Sequence, residues 1–360
     1  MTVLSKSGRT KTKREEPIWV HLLYLLATIQ VVWAYHSRTL EYVNIEKFEM
    51  GTDVTPCQTR ILMMLVLRWA HHNLFLIRFA DLISKDTLIY RSHVYPESIV
   101  FAIADCIGIV VAGWVATRVY NAASEHRLFT PYIYPLVLVF CVCNYIVLAL
   151  HPYRFCYDMP SLGFFAVGLY LIYFRRHPLY FAALFVVATL NRETTLLLLL
   201  FFVLAAVAEG GVADWSRCYR SRTLAVVLPL GILWISWHIF VNKLYMHNHF
   251  AWIPASKINS VLLLWPPAWP QMLGAGCYSI LPVLIYRRYI KDPTLRIWLW
   301  TLPAWFAIIF LYAIIVEIRL YGELIPYLVC MAAIAMEEGI VRRLRERSSC
   351  LGGLCPFAVE

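Results

Sequence analysis

The sequence has few charged residues. Asp, Glu, Lys and Arg make up only 15% of its 360 residues, and 61% are hydrophobic, whereas soluble domains average about 25% charged residues. These proportions exclude a water-soluble globule and a disordered chain. The ten cysteines, most of them inside apolar runs, are too sparse for a secreted disulfide scaffold. We therefore predict an all-α, polytopic integral membrane protein.

Motifs that would identify a known chemistry are also missing. The chain has no Walker loop, no GxSxG elbow, no HExxH helix and no CxxC pair. His71-His72 and the pair His247 and His249 lack a consistent set of partner ligands. We predict no metal site and no cofactor, and leave a divalent metal open.

Long apolar stretches are abundant, and stretches of about twenty residues are typical of membrane helices. The clear candidates are 17–35, 97–117, 131–150, 224–242, 262–286 and 297–316, and the shorter candidates are 160–174, 178–190, 194–209 and 324–337. Together they predict about ten transmembrane helices, provided that the chain turns at Asn191-Arg192-Glu193 instead of burying these residues in mid-membrane.

The distribution of the basic residues supports that turn. With ten spans, both termini are cytoplasmic and most of the 32 basic residues lie on the cytoplasmic side, as the positive-inside rule requires. Because the basic residues mark helix ends, no nucleic-acid partner is predicted. Between a bacterial inner membrane and a eukaryotic endomembrane, we favour the bacterial inner membrane.

The predicted domain organisation is simple. Residues 1–16 form a cytoplasmic tail, 17–340 a single transmembrane domain, and 341–360 a basic cytoplasmic tail. The outer loop at 36–96 is the long one. It contains two apolar runs interrupted by charges, which predicts helices lying in the membrane interface.

Polar and ionisable residues collect where predicted helices begin on the outer side. These positions are Arg154, Tyr157, Asp158, Asn191, Arg192, Glu193, Glu317, Arg319 and Glu323, with Arg60 contributed by the first loop. Free N–H groups and the positive dipole end of a helix suit an anion, so arginines added there predict a phosphate-binding site. The structural alternative is that Asp158 and Asn191 cap helices and that Arg319 pairs with Glu323.

Other acids are candidates for chemistry. Asp105 lies inside the second span, where an ionisable side chain is a functional candidate. The first loop offers Glu41, Glu46, Glu49 and Asp53, and general-base catalysis needs one such carboxylate close to the acceptor hydroxyl. The sequence alone does not choose among the four.

The strings Tyr157-Asp-Met-Pro-Ser161, Leu190-Asn-Arg-Glu-Thr194 and Glu317-Ile-Arg-Leu-Tyr-Gly-Glu-Leu-Ile-Pro326 are similar to those of a group of multi-pass membrane proteins. With the long first outer loop, they give the chain an architecture that resembles the GT-C superfamily of membrane glycosyltransferases over roughly residues 17 to 338.

The resemblance implies transfer of a sugar from a polyprenyl-phosphate donor on the extracytoplasmic face. It gives the catalytic role to Glu49 or Asp53, with Asp158 as a further candidate. The implied partners are the lipid-linked sugar donor and membrane lipid, and protein partners are not identified. The alternatives are a transporter or flippase of a polar or anionic substrate, and a non-catalytic membrane assembly protein.

Overall fold

The computed structural model describes residues 17–86, 94–149, 153–209, 216, 221–249 and 255–352. The described chain is almost entirely helical, which confirms the predicted all-α class. The described residues form sixteen α-helices, which are α1 Ile18–Arg38, α2 Ile45–Met50, α3 Ile61–His71, α4 Leu74–Asp86, α5 Pro96–Ala123, α6 Thr130–Val142, α7 Asp158–Tyr173, α8 Pro178–Asn191, α9 Leu196–Val207, α10 Ser221–Leu244, α11 Ala255–Leu264, α12 Trp269–Leu273, α13 Ile280–Ile285, α14 Pro293–Ile297, α15 Thr301–Tyr312 and α16 Ile325–Gly352.

Within the part of the chain that the structure describes, six helical stretches are long and apolar enough to cross a membrane. They are Ile18–Arg38, Pro96–Ala123, Thr130–Val147, Ser221–Leu244, Pro293–Tyr312 and Ile318–Glu346. All six correspond to predicted spans, so the chain is an integral membrane protein with several membrane helices. The predicted short spans at 160–174, 178–190 and 194–209 are the helices α7, α8 and α9, of 16, 14 and 12 residues.

The predicted span 262–286 is wrong as a single helix. Its residues belong to α11, a 3-10 turn at Pro266–Ala268, α12 and α13. Prolines interrupt it, because each lacks an N–H donor and its ring collides with the preceding turn. Gly276, Cys277 and Tyr278 also have positive φ angles, which end any helix there.

The predicted break near residue 191 is present. The helix α8 ends at Asn191, Arg192 has extended backbone angles of φ −160° and ψ 148°, and a 3-10 turn at Glu193–Thr195 leads into α9. This break places three polar side chains between two apolar helices and avoids burying them against lipid.

The first loop contains the helices α3 and α4, where its two apolar runs predicted helices. It also contributes β1, Leu40–Glu41, which pairs in parallel with β2, Tyr153–Arg154. At the other end of the chain, α16 runs through the predicted boundary at 340/341 without interruption. The predicted tail at 1–16 lies outside the described residues.

The helix α5 lies at the centre of the bundle and packs against α1, α3, α6, α7 and α16. Its closest approach to α7 is at Gly108 and Gly163. A Cβ atom at Gly163 would lie 2.9 Å from the Cα of Gly108, and one at Gly108 would overlap the carbonyl group of Met159. The two backbones meet there because neither position carries a side chain, the close packing that small residues allow between membrane helices.

We predict that Gly108→Ala destabilises the bundle by at least about 2 kcal/mol, because its methyl group has no space and the backbone of α7 must move. The measurement is the thermal unfolding midpoint of the purified protein in detergent. Gly339→Ala is the matched control, since a Cβ at Gly339 meets nothing within 4 Å. Equal midpoints for the two variants would show that the α5–α7 contact is not as close as described.

Candidate functional site

A buried group of ion pairs lies where α7 begins and α8 ends. Arg192 is 2% exposed, and its Nη1 lies 3.1 Å from Asp158 Oδ1 and 3.1 Å from Glu323 Oε1. Asp158 is the first residue of α7, and Glu323 belongs to a 3-10 segment at Ile318–Leu324 that leads into α16. One guanidinium therefore connects three parts of the chain that are far apart in sequence.

Two more arginines extend this group. Arg319 Nη1 lies 3.4 Å from Asp158 Oδ2, and its Nη2 lies 3.1 Å from Glu317 Oε2. Arg60, immediately before α3, has its Nη2 3.2 Å from Glu193 Oε2. We call Arg60, Asp158, Arg192, Glu193, Glu317, Arg319 and Glu323 the ion-pair network.

Neutral side chains fix the geometry of the network. The Asn191 Nδ2 donates to the carbonyl oxygen of Tyr157 at 3.2 Å and to Ser161 Oγ at 2.7 Å, which joins the end of α8 to the start of α7. The guanidinium of Arg60 lies over the ring of Tyr157, 3.9 Å from its centroid, and that of Arg319 lies 3.8 Å from the centroid of Phe155. Such stacking holds an arginine in place while its fork bonds a carboxylate.

The charges of the network nearly cancel. Three arginines are paired with four carboxylates, Asp158, Glu193, Glu317 and Glu323. The network brings together most of the residues predicted to bind phosphate, which were expected to meet because they lie at helix ends on the same predicted side of the membrane. Each arginine nevertheless has a carboxylate within 3.4 Å, so the arginines are held as ion pairs and not as a surface of unpaired positive charge.

Two predicted residues lie beside the network instead of in it. Asp105 Oδ2 is 2.9 Å from His36 Nε2. Arg154 bonds Glu41 Oε2 at 3.4 Å and the carbonyl oxygen of Thr39 at 3.2 Å, across the two-stranded β pair. Both contacts fasten the end of α1 to its neighbours.

A cleft beside the ion-pair network is formed largely by residues of the first loop. It has a volume of about 950 Å³ and is lined by Glu41, Tyr42, Val43, Asn44, Ile45, Glu46, Glu49, Met50, Arg68, His71, His72, Tyr95, Glu97 and Ser98. The network is behind its wall: the ring of Tyr42 lies 5.0 Å from that of Phe155, on which Arg319 stacks.

Three ionisable side chains from separate elements meet in this cleft. His71, at the end of α3, forms a hydrogen bond through Nδ1 with the Glu97 carboxylate at the start of α5. The same nitrogen lies 3.5 Å from Glu49 Oε2 on α2. Glu49 and Glu97 are buried, whereas the side chain of His71 is 57% exposed. We call these three residues the cleft cluster.

The surroundings of Glu49 in the cleft cluster raise the pKa of its carboxyl. Burial raises the pKa of the Glu49 carboxyl above its ordinary value, and the negative charge of Glu97 raises it further, against the opposing effects of His71 and Arg68. Arg68 Nε donates to the backbone carbonyl oxygen of Glu49 at 3.0 Å, which holds the end of α2 on α3.

The other two predicted catalytic acids lie elsewhere. Asp158 is fully buried between Arg192 and Arg319. Asp53 is 7% exposed and is not among the residues that line the cleft, and burial raises the pKa of its carboxyl. Of the three acids, Glu49 is the one that faces the cleft.

His71 and Glu97 were not predicted as site residues. The one signal for His71 was the doublet at the end of an apolar run, and Glu97 reads as an ordinary acid in the first turn of a helix. Nothing in the local sequence shows that the end of α3 and the start of α5 meet.

Comparison of the chain with protein-family models, with curated proteins and with solved structures gave no match. A functional assignment therefore depends on the geometry of the site and on the sequence itself.

We predict that Asp158→Asn lowers the stability by about 3 kcal/mol or more, because it leaves Arg192 and Arg319 short of a buried counter-charge. Thermal unfolding in detergent measures this. The control is Glu125→Gln, which breaks an ion pair with Lys291 in which both side chains are at least half exposed, and which should cost less than about 1 kcal/mol. Similar losses for both variants would contradict the buried arrangement.

Proposed function

We propose that this protein is a glycosyltransferase of the GT-C type that transfers a sugar from a polyprenyl-phosphate donor to an acceptor hydroxyl in the cleft. The observation that carries the proposal is the meeting of Glu49, His71 and Glu97 in a cleft of about 950 Å³ formed by the long first loop. A cleft of that size suits a sugar with its phosphate, since ligand sites range over about 300–1,000 Å³.

The surroundings of the cleft suit a donor that arrives through the bilayer. Outward-facing apolar side chains cover the first-loop helices, among them Trp69 at 59%, Leu74 at 71% and Phe75 at 75% exposure. These fit helices that lie in the membrane interface with their apolar faces towards lipid. Arg68 and His71 are on α3 as well and line the cleft, so a lipid tail beside this helix places its phosphate near them.

In the proposed reaction the acceptor hydroxyl oxygen attacks the anomeric carbon of the donor sugar. The bond between that carbon and the phosphate oxygen breaks, and the electron pair leaves with the phosphate. The hydroxyl proton passes to a carboxylate of the cleft cluster, Glu49 or Glu97. Either carboxylate suits this step, since a general base needs to lie within hydrogen-bond reach of the proton that it accepts.

The ion-pair network has a supporting role in this proposal. It holds the starts of α3 and α7, the end of α8 and the segment before α16 in one arrangement behind the cleft. Arg319 of the network is stacked on Phe155, whose ring lies next to that of Tyr42 in the cleft wall. A fixed wall is needed because small displacements of a reacting group cost large factors in rate.

We propose ten membrane crossings with both termini cytoplasmic. Six are the long apolar helices, and α7, α8 and α9 add three shorter crossings. The interrupted stretch α11–α13 gives the tenth. The cleft then lies on the extracytoplasmic side.

This topology predicts opposite labelling of two exposed acids. Asp81→Cys on α4 should react with a membrane-impermeant maleimide in intact cells, because 36–96 lies outside. Glu125→Cys, between α5 and α6, should react only after permeabilisation. Labelling of both positions in intact cells would refute the arrangement.

Catalysis is testable with the purified protein in lipid nanodiscs. A panel of radiolabelled polyprenyl-phosphate sugars is supplied, and release of the sugar into the aqueous phase is followed, with water taking the place of the acceptor hydroxyl. We expect the wild type to release sugar from at least one donor, and Glu49→Gln and Glu97→Gln to slow release by about 100-fold or more, the usual effect of losing an acid–base group.

Asp81→Asn is the matched control, an exposed acid of the same loop outside the cleft lining, and it should react within twofold of the wild type. A wild type that cleaves no donor of the panel, or a Glu49→Gln, Glu97→Gln double variant that keeps the full rate, refutes the proposed transfer.

A further inference from the structure

The cleft cluster has the ligand set of a metal site. Glu49, His71 and Glu97 each offer one ligand atom, and these three atoms lie within 4.8 Å of one another. They come from α2, α3 and α5, so the convergence is a tertiary feature of the first loop and not a run of acids on one helix.

An unsatisfied atom at the same place points to a missing ligand. The Oε1 atom of Glu49 is buried and has no hydrogen-bond partner among the described residues, and Glu49 as a whole is only 8% exposed. The nearby guanidinium of Arg68 bonds the backbone carbonyl of Glu49. A buried carboxylate oxygen without a partner is costly, and a cation removes that cost.

We propose that Glu49, His71 and Glu97 bind one divalent cation, with its open coordination positions directed into the cleft. One imidazole nitrogen with two carboxylate oxygens suits a dication that accepts mixed ligands, such as Mn²⁺ or Zn²⁺, better than Ca²⁺, which prefers oxygen alone. The partial exposure of His71 leaves room for a further ligand from the cleft.

The charge of the cleft explains what such a cation contributes. Glu46, Glu49 and Glu97 line it, together with Glu41, which pairs with Arg154. Among the described lining residues, Arg68 is the one permanently charged cation. An acidic cleft repels a phosphate, and a bound dication reverses that field and takes up charge on a departing phosphate. This catalytic part rests on the proposed function, whereas cation binding does not. A carboxylate that binds the cation through one oxygen keeps its second oxygen as an acceptor.

A second trio of possible ligands differs from the cleft cluster because a lysine lies among its carboxylates. Glu125, His126 and Glu338 also lie close together. There Lys291 Nζ lies 2.9 Å from Glu125 Oε2 and 2.9 Å from Glu338 Oε1, so an ammonium group already supplies the positive charge. This second trio serves as an internal comparison.

The test is Mn²⁺ binding to the full-length protein in nanodiscs of neutral lipid, with no sugar donor present. Loss of the free Mn²⁺ electron paramagnetic resonance signal gives the stoichiometry, and we expect one tight site per chain. His71→Asn and Glu97→Gln should each weaken binding by at least about tenfold, since even the residues behind metal ligands contribute about 10- to 100-fold. Glu125→Gln and Asp81→Asn should leave it unchanged.

A spectroscopic measurement on the wild type avoids dependence on variants that fold poorly. Electron spin-echo modulation of bound Mn²⁺ should show the nitrogen of one coordinated imidazole. No tight binding by the wild type, binding without a nitrogen ligand, or loss of binding in Glu125→Gln instead of Glu97→Gln overturns the proposal. Because no donor is used, these outcomes are independent of whether the sugar transfer occurs.

Discussion

Burial of ionised side chains is the constraint on which the end of the bundle around Arg192 depends. Moving a single charge from water to a low-dielectric interior costs on the order of 20 kcal/mol in the idealised limit. Arg192 is 2% exposed, so it is tolerable only with Asp158 and Glu323 beside it. That requirement forces α7, α8 and the segment before α16 to meet at one point. The position of the first loop follows, because Arg60 meets the same condition through Glu193.

The same pairing divides the roles of the charged residues. Arginines that are compensated by carboxylates at 3.1–3.4 Å stabilise the arrangement of helix ends and have little charge left for a ligand. The cleft in front of them has the opposite character, with buried acids in excess. The acidic cleft and the compensated arginines are separated by only the aromatic layer of Tyr42 and Phe155. A ligand in the cleft thus meets carboxylates first.

Much of the fold was predictable, because a membrane helix is a local property of composition and length. The apolar runs gave α1, α5 and α10 to within a few residues, and the cost of a mid-membrane arginine gave the break after α8. The run 262–286 failed because hydropathy counts proline as nearly neutral, although it removes a backbone donor. The lengths of α7, α8 and α9 depend on packing against neighbours, which composition does not contain.

The site was predictable only in part, and for a physical reason. That charged helix ends on one side of the membrane would meet followed from the shared requirement for counter-charges, and Asp158, Arg192 and Arg319 do meet. The cleft cluster has no such signal, because the helix α4 lies between His71 and Glu97 in the chain and the sequence does not show that the two side chains meet. Glu49 and Glu97 are two buried carboxylates of like charge. A fold tolerates their repulsion only when another interaction offsets it. His71, which lies between the two carboxylates, offsets part of this repulsion. The Oε1 atom of Glu49 still has no hydrogen-bond partner among the described residues. Each carboxylate of the ion-pair network pairs with an arginine, whereas Glu49 and Glu97 share one histidine. That difference distinguishes the cleft from the network, and it is the one that a cationic ligand would satisfy.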